Sequence, residues 1–264
     1  MFPLRDSVAR SRPPVVVGIL IALNAAVFFY QLNLGGQALE RFIAEYALIP
    51  LRYFSPAWAA RNGLSSTDLT PFLSNTFMHG GWFHIILNMW TLYIFGPALE
   101  DRLGPARFLA LYLAAGILAS IAHAVFNATS GIPALGASGA IAGVIGAYAV
   151  RFPYAWVRVL MLIVIFPLIF SIPAMVFAGI WFITQVMQGT TELFLPSAVG
   201  GIAWWAHIGG FLAGIFLVRP LQPSSGSAAA GGPWANRDYE RAFEQRAHFW
   251  TPSSGGPGHG GSPP

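Results

Sequence analysis

The chain has no cysteine, so disulfides, iron–sulfur clusters and thiolate zinc sites are excluded. It also has no lysine, which leaves arginine to carry all 14 fixed positive charges. Charge is scarce altogether. Only 9% of the 264 residues are charged, where a soluble domain carries about 25%. No basic patch is interleaved with aromatics, so nucleic acid is not an expected partner. What is present is apolar: 55% of the residues are hydrophobic. Length and composition together describe a multi-span membrane protein.

Apolar runs and punctuation divide the chain. After Arg5, Arg10, Arg12 and Pro13-Pro14, residues 15–34 form a run long enough to cross a bilayer. It is long for a signal-peptide core and no small-residue cleavage site ends it, so it reads as a retained span. Residues 35–78 are broken by Pro50, Pro56 and Pro71. They are too polar to span and too apolar for a free loop, and read as short helices in the interface. Five further spans follow at 82–98, 106–126, 136–150, 159–183 and 200–218, with a polar loop at 185–199. Pro167 and Pro173 interrupt the fifth. The expected fold is therefore an all-α polytopic membrane protein with six transmembrane helices.

With the N-terminus in the cytoplasm, only Arg41, Arg52 and Arg61 face outside, and the other 11 arginines face inside. Residues 1–14 are then a cytoplasmic N-terminus and 15–219 a membrane core. Residues 220–264, rich in Gly, Ser and Pro, read as a disordered cytoplasmic tail. The N-terminus carries no long transit peptide, which favours a bacterial plasma (inner) membrane and leaves an organellar one open.

Ionisable and polar groups within spans are costly and mark function. Ser138 lies in Gly136-Ala137-Ser138-Gly139, with Gly143 and Gly146 continuing a bare helix face. Such a face lets another helix approach closely. A serine at that helix's N-terminus would sit among unpartnered backbone N–H groups suited to an oxyanion. His84 and Asn88 are four residues apart and share a helix face. His207 lies two turns into the last span, followed by Gly210 and Gly214. These four groups fall at one depth, in the outer half of the bilayer. Ser138 would be the nucleophile, His207 its base, and His84 and Asn88 oxyanion donors. Gly139, Gly143, Gly210 and Gly214 would let the Ser138 and His207 helices pack closely.

Blander readings stand beside these. Ser138 could be one more small packing residue, His84 or His207 could bond a neighbouring carbonyl, and Asn88 could be interhelical glue. His79 and His123 read as headgroup-level residues, and His248 and His259 as tail. A metal site of His79, His84 and His207 lacks a carboxylate, so no metal and no cofactor are expected. A protein that captures membrane helices without cutting them is the rival function. A transporter fits less well, since the polar groups cluster at one depth and no repeat is present.

The ordered set of motifs resembles the rhomboid intramembrane serine proteases. It comprises His79 with His84-Ile-Ile-Leu-Asn88, Glu100-Asp-Arg102-Leu-Gly104, Gly136-Ala-Ser138-Gly139, and Ala206-His207-Ile-Gly-Gly210 followed by Gly214. The resemblance covers residues 70–218 and implies a six-helix rhomboid-like bundle. It implies a Ser138–His207 dyad without aspartate, with oxyanion donors His84, Asn88 and the Ser138 backbone. It further implies cleavage of membrane-protein substrates within the lipid bilayer near the outer face, and gating by the 185–199 loop with the top of the fifth span. The sequence departs from well-known members at Ala142, where they carry a tyrosine beneath the histidine ring. That ring then needs another support, such as an aromatic from a neighbouring span. The family's Trp-Arg pair in the first loop is also missing; Leu69-Thr70 stand near its place.

Overall fold

The computed structural model describes residues 1–163, 165–194 and 203–223. They belong to one unit, Met1–Ser227; a second, Ala228–Pro264, lies wholly outside the described residues, as does most of the expected tail. The elements run β1 (Phe2–Asp6), α1 (Val15–Asn33), α2 (Gly36–Tyr46), α3 (Leu51–Phe54), α4 (Pro56–Arg61) and α5 (Pro71–Ser74) with a 3-10 turn at Asn75–Phe77. Then come α6 (Trp82–Leu103), α7 (Pro105–Phe126), α8 (Ser138–Arg151), β2 (Trp156–Ile163), β3 (Phe166–Pro173), α9 (Ala174–Phe194) and α10 (Trp204–Val218). Among the described residues, α1, α6 and α7 are long and apolar enough to cross a membrane by length and composition. Helices α8 and α10 are apolar but shorter.

The architecture is mostly helical, yet it is not all-α. Strands β1, β2 and β3 form an antiparallel sheet in that order. The fifth apolar run therefore does not begin as a helix at 159. It begins as the β2–β3 hairpin, and only Ala174 starts α9. The physical reason lies in the residue types. Trp156–Ile163 and Phe166–Pro173 are dominated by β-branched, aromatic and other apolar residues, which suit a pleated surface. Val157 and Val159 are fully buried while Arg158 between them is exposed, the alternation of a strand. Pro167 is tolerated because β3 is an edge strand. The polar loop expected at 185–199 is likewise corrected: α9 continues to Phe194, and 195–202 lie outside the described residues.

β1 is tied to the helices through Asp6. Its carboxylate accepts from the Tyr148 hydroxyl at 2.9 Å and pairs with Arg10 at 2.7 Å. Burial still holds the Asp6 carboxyl above the usual range, with Arg10 and Tyr148 pulling the other way. The α6–α7 corner turns on Gly104, at φ 84°, with Pro105 opening α7.

Helix α8 is the axis of the core, buried from Gly139 through Tyr148. It crosses α10 backbone to backbone. A methyl group on Gly210 would run into the Gly139 carbonyl, and one on Gly214 into that of Gly143. On its other side a methyl on Gly139 would lie 2.7 Å from Ala119 Cβ of α7. The segment between α1 and α6 forms short helices, as its composition suggested. Arg52, 2% exposed, holds it together: it donates to the Ser65 and Glu45 carbonyls and pairs with Asp68 at 2.8 Å. A two-way backbone bridge between Leu48 and Ala134 joins this segment to the chain entering α8.

Candidate active site

Gly136 is the wedge around which the site is built. Its φ of 136° is one that side chains rarely adopt, and its N–H donates to the Asn75 carbonyl at 2.9 Å. A methyl group there would sit 2.6 Å from His84 Nε2 and 3.7 Å from Asn88 Nδ2. The absent side chain is what lets His84 and Asn88, both on α6, close on the turn that leads into Ser138. Ser138 itself opens α8, so the first-turn N–H groups around it have no partners within the helix.

His207 approaches from the other side. It is buried on α10, and the preceding residue, Ala206, lies against Gly139: a methyl on Gly139 would be 3.6 Å from the Ala206 carbonyl oxygen. The glycine faces of α8 and α10 thus bring the Ser138 and His207 segments together. A narrow cleft beside them is lined by Ser138, Gly139, Ala206, Ser120, His123 and Asn75. It has room for about one water molecule.

The partners of these groups extend the sequence reading. Asn88 Nδ2 lies 3.0 Å from His79 Nε2, and His79 is 2% exposed, packed inside the protein. Donation from the amide nitrogen to that ring leaves Asn88 a second N–H. Gln31 of α1 clamps the His79 backbone from both sides, accepting from its N–H at 3.0 Å and donating to its carbonyl at 3.2 Å. His123, also expected at headgroup level, lines the cleft and contacts Asn127. The His79 and His84 rings meet edge to face at 5.1 Å. No group of three or more metal-ligating side chains occurs among the described residues.

His207 has a partner the sequence reading missed. Its Nδ1 lies 2.8 Å from Gln185 Oε1 on α9. Trp181, one turn earlier on α9, faces the ring at 5.8 Å, and Trp204 meets it edge-on at 6.0 Å. Two aromatics and an amide thus surround the ring, and aromatic support from a neighbouring span is what the alanine at 142 led the sequence reading to expect. The signal was available: Trp181 and Gln185 share a helix face.

Comparison with known proteins identifies the family. The rhomboid domain family model matches residues 66–223. Presenilin-associated rhomboid-like protein A, mitochondrial, of Danio rerio is 28% identical over 229 residues, 85% of this chain and 51% of that protein. Rhomboid protein 1, mitochondrial, of Saccharomyces cerevisiae is 28% identical over 211 residues, 78% of this chain and 53% of its own. The human presenilin-associated rhomboid-like protein, mitochondrial, is 30% identical over 177 residues, 64% of this chain and 41% of its own. The chain thus spans about half the length, or less, of these relatives. With the motifs in order, the glycine-faced crossing and a family match over most of the membrane core, this chain is a membrane protein of the rhomboid family.

Proposed function

We propose that the protein is an intramembrane serine endopeptidase that cleaves transmembrane segments of other membrane proteins near the outer face. The observation that carries this reading is the α8–α10 crossing. It sets the His207 segment against Ser138 at the wall where His84 and Asn88 converge on Gly136.

In the proposed mechanism, the Ser138 hydroxyl oxygen attacks a carbonyl carbon of an unwound substrate helix, and its proton passes to His207 Nε2. The carbonyl oxygen becomes an oxyanion held by His84, Asn88 and the Ser138 N–H. The C–N bond breaks, and the amine leaves with the proton from His207. A water from the cleft then hydrolyses the acyl-enzyme, giving its proton to His207, which returns it to the serine oxygen. No metal or cofactor takes part.

The proposed topology has six spans, α1, α6, α7, α8, α9 and α10, within a core of residues 15–219. Both termini lie on the side rich in arginine, which is cytoplasmic in a bacterial plasma membrane. The relatives named above are mitochondrial by name, so an organellar membrane is the other setting. The gate on this reading is the top of the fifth span, which is the C-terminal end of α9; the rest of the expected 185–199 loop lies outside the described residues.

The test is cleavage of a tagged transmembrane substrate in liposomes, with labelling by a serine-directed fluorophosphonate. Wild type cuts and is labelled; Ser138→Ala and His207→Ala do neither. Equal cutting by all three, or no labelling of folded wild type, overturns the reading. Substrate capture without cleavage by wild type would make the protein a binder.

A further inference from the structure

The dyad proposed above has no aspartate, and a buried neutral histidine has two tautomers. Only one of them presents a lone pair on Nε2 to accept the serine proton. Something must choose between them, and the surroundings of Gln185 supply a choice. Gln185 is buried on α9. Its Nε2 donates to the Trp181 carbonyl at 3.0 Å and lies 3.0 Å from the Thr184 hydroxyl. A carbonyl oxygen only accepts, so this bond fixes which end of the amide is nitrogen. The amide oxygen is therefore the atom 2.8 Å from His207 Nδ1. An amide oxygen also only accepts, so Nδ1 must carry the hydrogen. The neutral ring is then left with its lone pair on Nε2.

We propose that Gln185 is a positioning residue for His207, holding the ring in the Nδ1–H tautomer and completing a Ser138–His207–Gln185 triad. The inference rests on the protease reading for its consequence and on α9 geometry for its cause. When Nε2 takes the Ser138 proton, Nδ1 keeps its own, and the Nδ1–H bond to Gln185 persists through the step. Gln185 neither gains nor loses a proton. Trp181 and Trp204 limit the ring's rotation, and Gln185 decides which nitrogen faces inward. Because the amide is neutral, it orients the base without placing a buried charge beside the site, which would be costly in a membrane.

Two measurements test this. The first is the tautomer itself, read by nitrogen-15 NMR of histidine-labelled Ser138→Ala protein in detergent. The His207 signals are identified by their loss in a variant that also carries His207→Ala. The expected result is an Nδ1–H ring, changing to a mixture or to Nε2–H in Gln185→Leu. An Nε2–H ring with Gln185 in place overturns the proposal, and this readout does not depend on activity. The second is kinetic. Gln185→Leu and Gln185→Met lower kcat by about tenfold to a hundredfold with KM unchanged. Gln185→Glu, which keeps an acceptor oxygen at that place, retains most of kcat per folded molecule while lowering Tm, because it adds a buried charge. A purely structural role would lower Tm and leave kcat per folded molecule unchanged, and that result overturns the proposal. Where Gln185→Leu does not fold, the tautomer of the folded chain still decides. Lack of cleavage by wild type with the Nδ1–H ring intact would sink the protease reading and leave the role of Gln185 standing.

Discussion

Glu100 offers the sharpest test of how the site is supported from a distance. Helix α1 has no side-chain cap of its own, since Pro14 precedes it. Glu100, 3% exposed on α6, fills that role across the interface. One carboxylate oxygen accepts from the Val16 N–H at 2.8 Å and the other from the Val17 N–H at 2.9 Å. Hydrogen bonds to a charged group are each worth about 1.5–3 kcal/mol, so Glu100→Ala should cost about 3–6 kcal/mol. Glu100→Gln keeps one acceptor oxygen and should cost about half as much. The effect should reach the chemistry, because Gln31 on the same α1 clamps the His79 backbone, and His79 holds Asn88. Thermal unfolding in detergent reads the first effect, and the rate of fluorophosphonate labelling below Tm reads the second. Unfolding of Glu100→Ala at the wild-type temperature would refute the capping argument. Lower stability with an unchanged labelling rate would refute the link through α1.

Three other outcomes follow from the same geometry. Gly136→Ala should fold but lose labelling by about a hundredfold or more, since its methyl displaces both proposed oxyanion donors; a rate within the wild-type range would refute the wedge. His79→Ala should lower kcat by about fivefold to tenfold, the worth of one hydrogen bond, by releasing Asn88; an unchanged kcat would make His79 a packing residue only. Asp68 is held below its usual 3.8, first by the Thr70 side chain and then by the Thr70 backbone N–H. Its stabilising effect is therefore full above that value and is lost as pH falls through the folded-state pKa. Hydrogen-exchange protection factors in residues 45–70, corrected for the intrinsic rate at each pH, should fall on acidification, and Asp68→Asn should abolish that pH dependence.

The site was legible in the sequence because its chemistry is local to helices. Glycines at helical spacing beside Ser138 and His207 predict a close crossing, and four residues between His84 and Asn88 predict a shared face. What the sequence hid had physical causes. Residues 159–173 are almost wholly apolar, and periodicity cannot separate such a run from a buried helix. Only the density of β-branched residues and the two prolines pointed to a hairpin. The burial of His79 is not written in local spacing, because it depends on Gln31 of α1, 48 residues away, which holds the loop before α6. Gln185 is hard to find from sequence because polar residues thicken after 183, where the composition suggests a loop, whereas α9 continues to Phe194 and carries Gln185 to His207.

On the proposed topology, the length of α8 sets the depth expected for the proposed chemistry. With 14 residues it rises about 21 Å, against a hydrocarbon core of about 30 Å. Its C-terminal end gathers charge: Arg151 ends the helix, and the Asp6–Arg10 pair joins Tyr148 one turn before. Charged groups in such number favour the headgroups, so on the proposed topology that end is placed there. Ser138, at the other end, would then lie about 9 Å below the opposite edge of the hydrocarbon. Water reaches such a depth only along polar walls, which Asn75, Ser120 and His123 provide in the cleft. The missing cysteines make this measurable, since Ser138→Cys carries the one thiol in the chain. A spin label on it, read by depth-dependent collisional relaxation in liposomes, should lie clearly deeper than one on Leu69→Cys, a site 67% exposed in the segment before α5. Equal depth for the two labels would mean that α8 is not anchored at its charged end, and that the cleavage proposed for Ser138 takes place at the membrane surface.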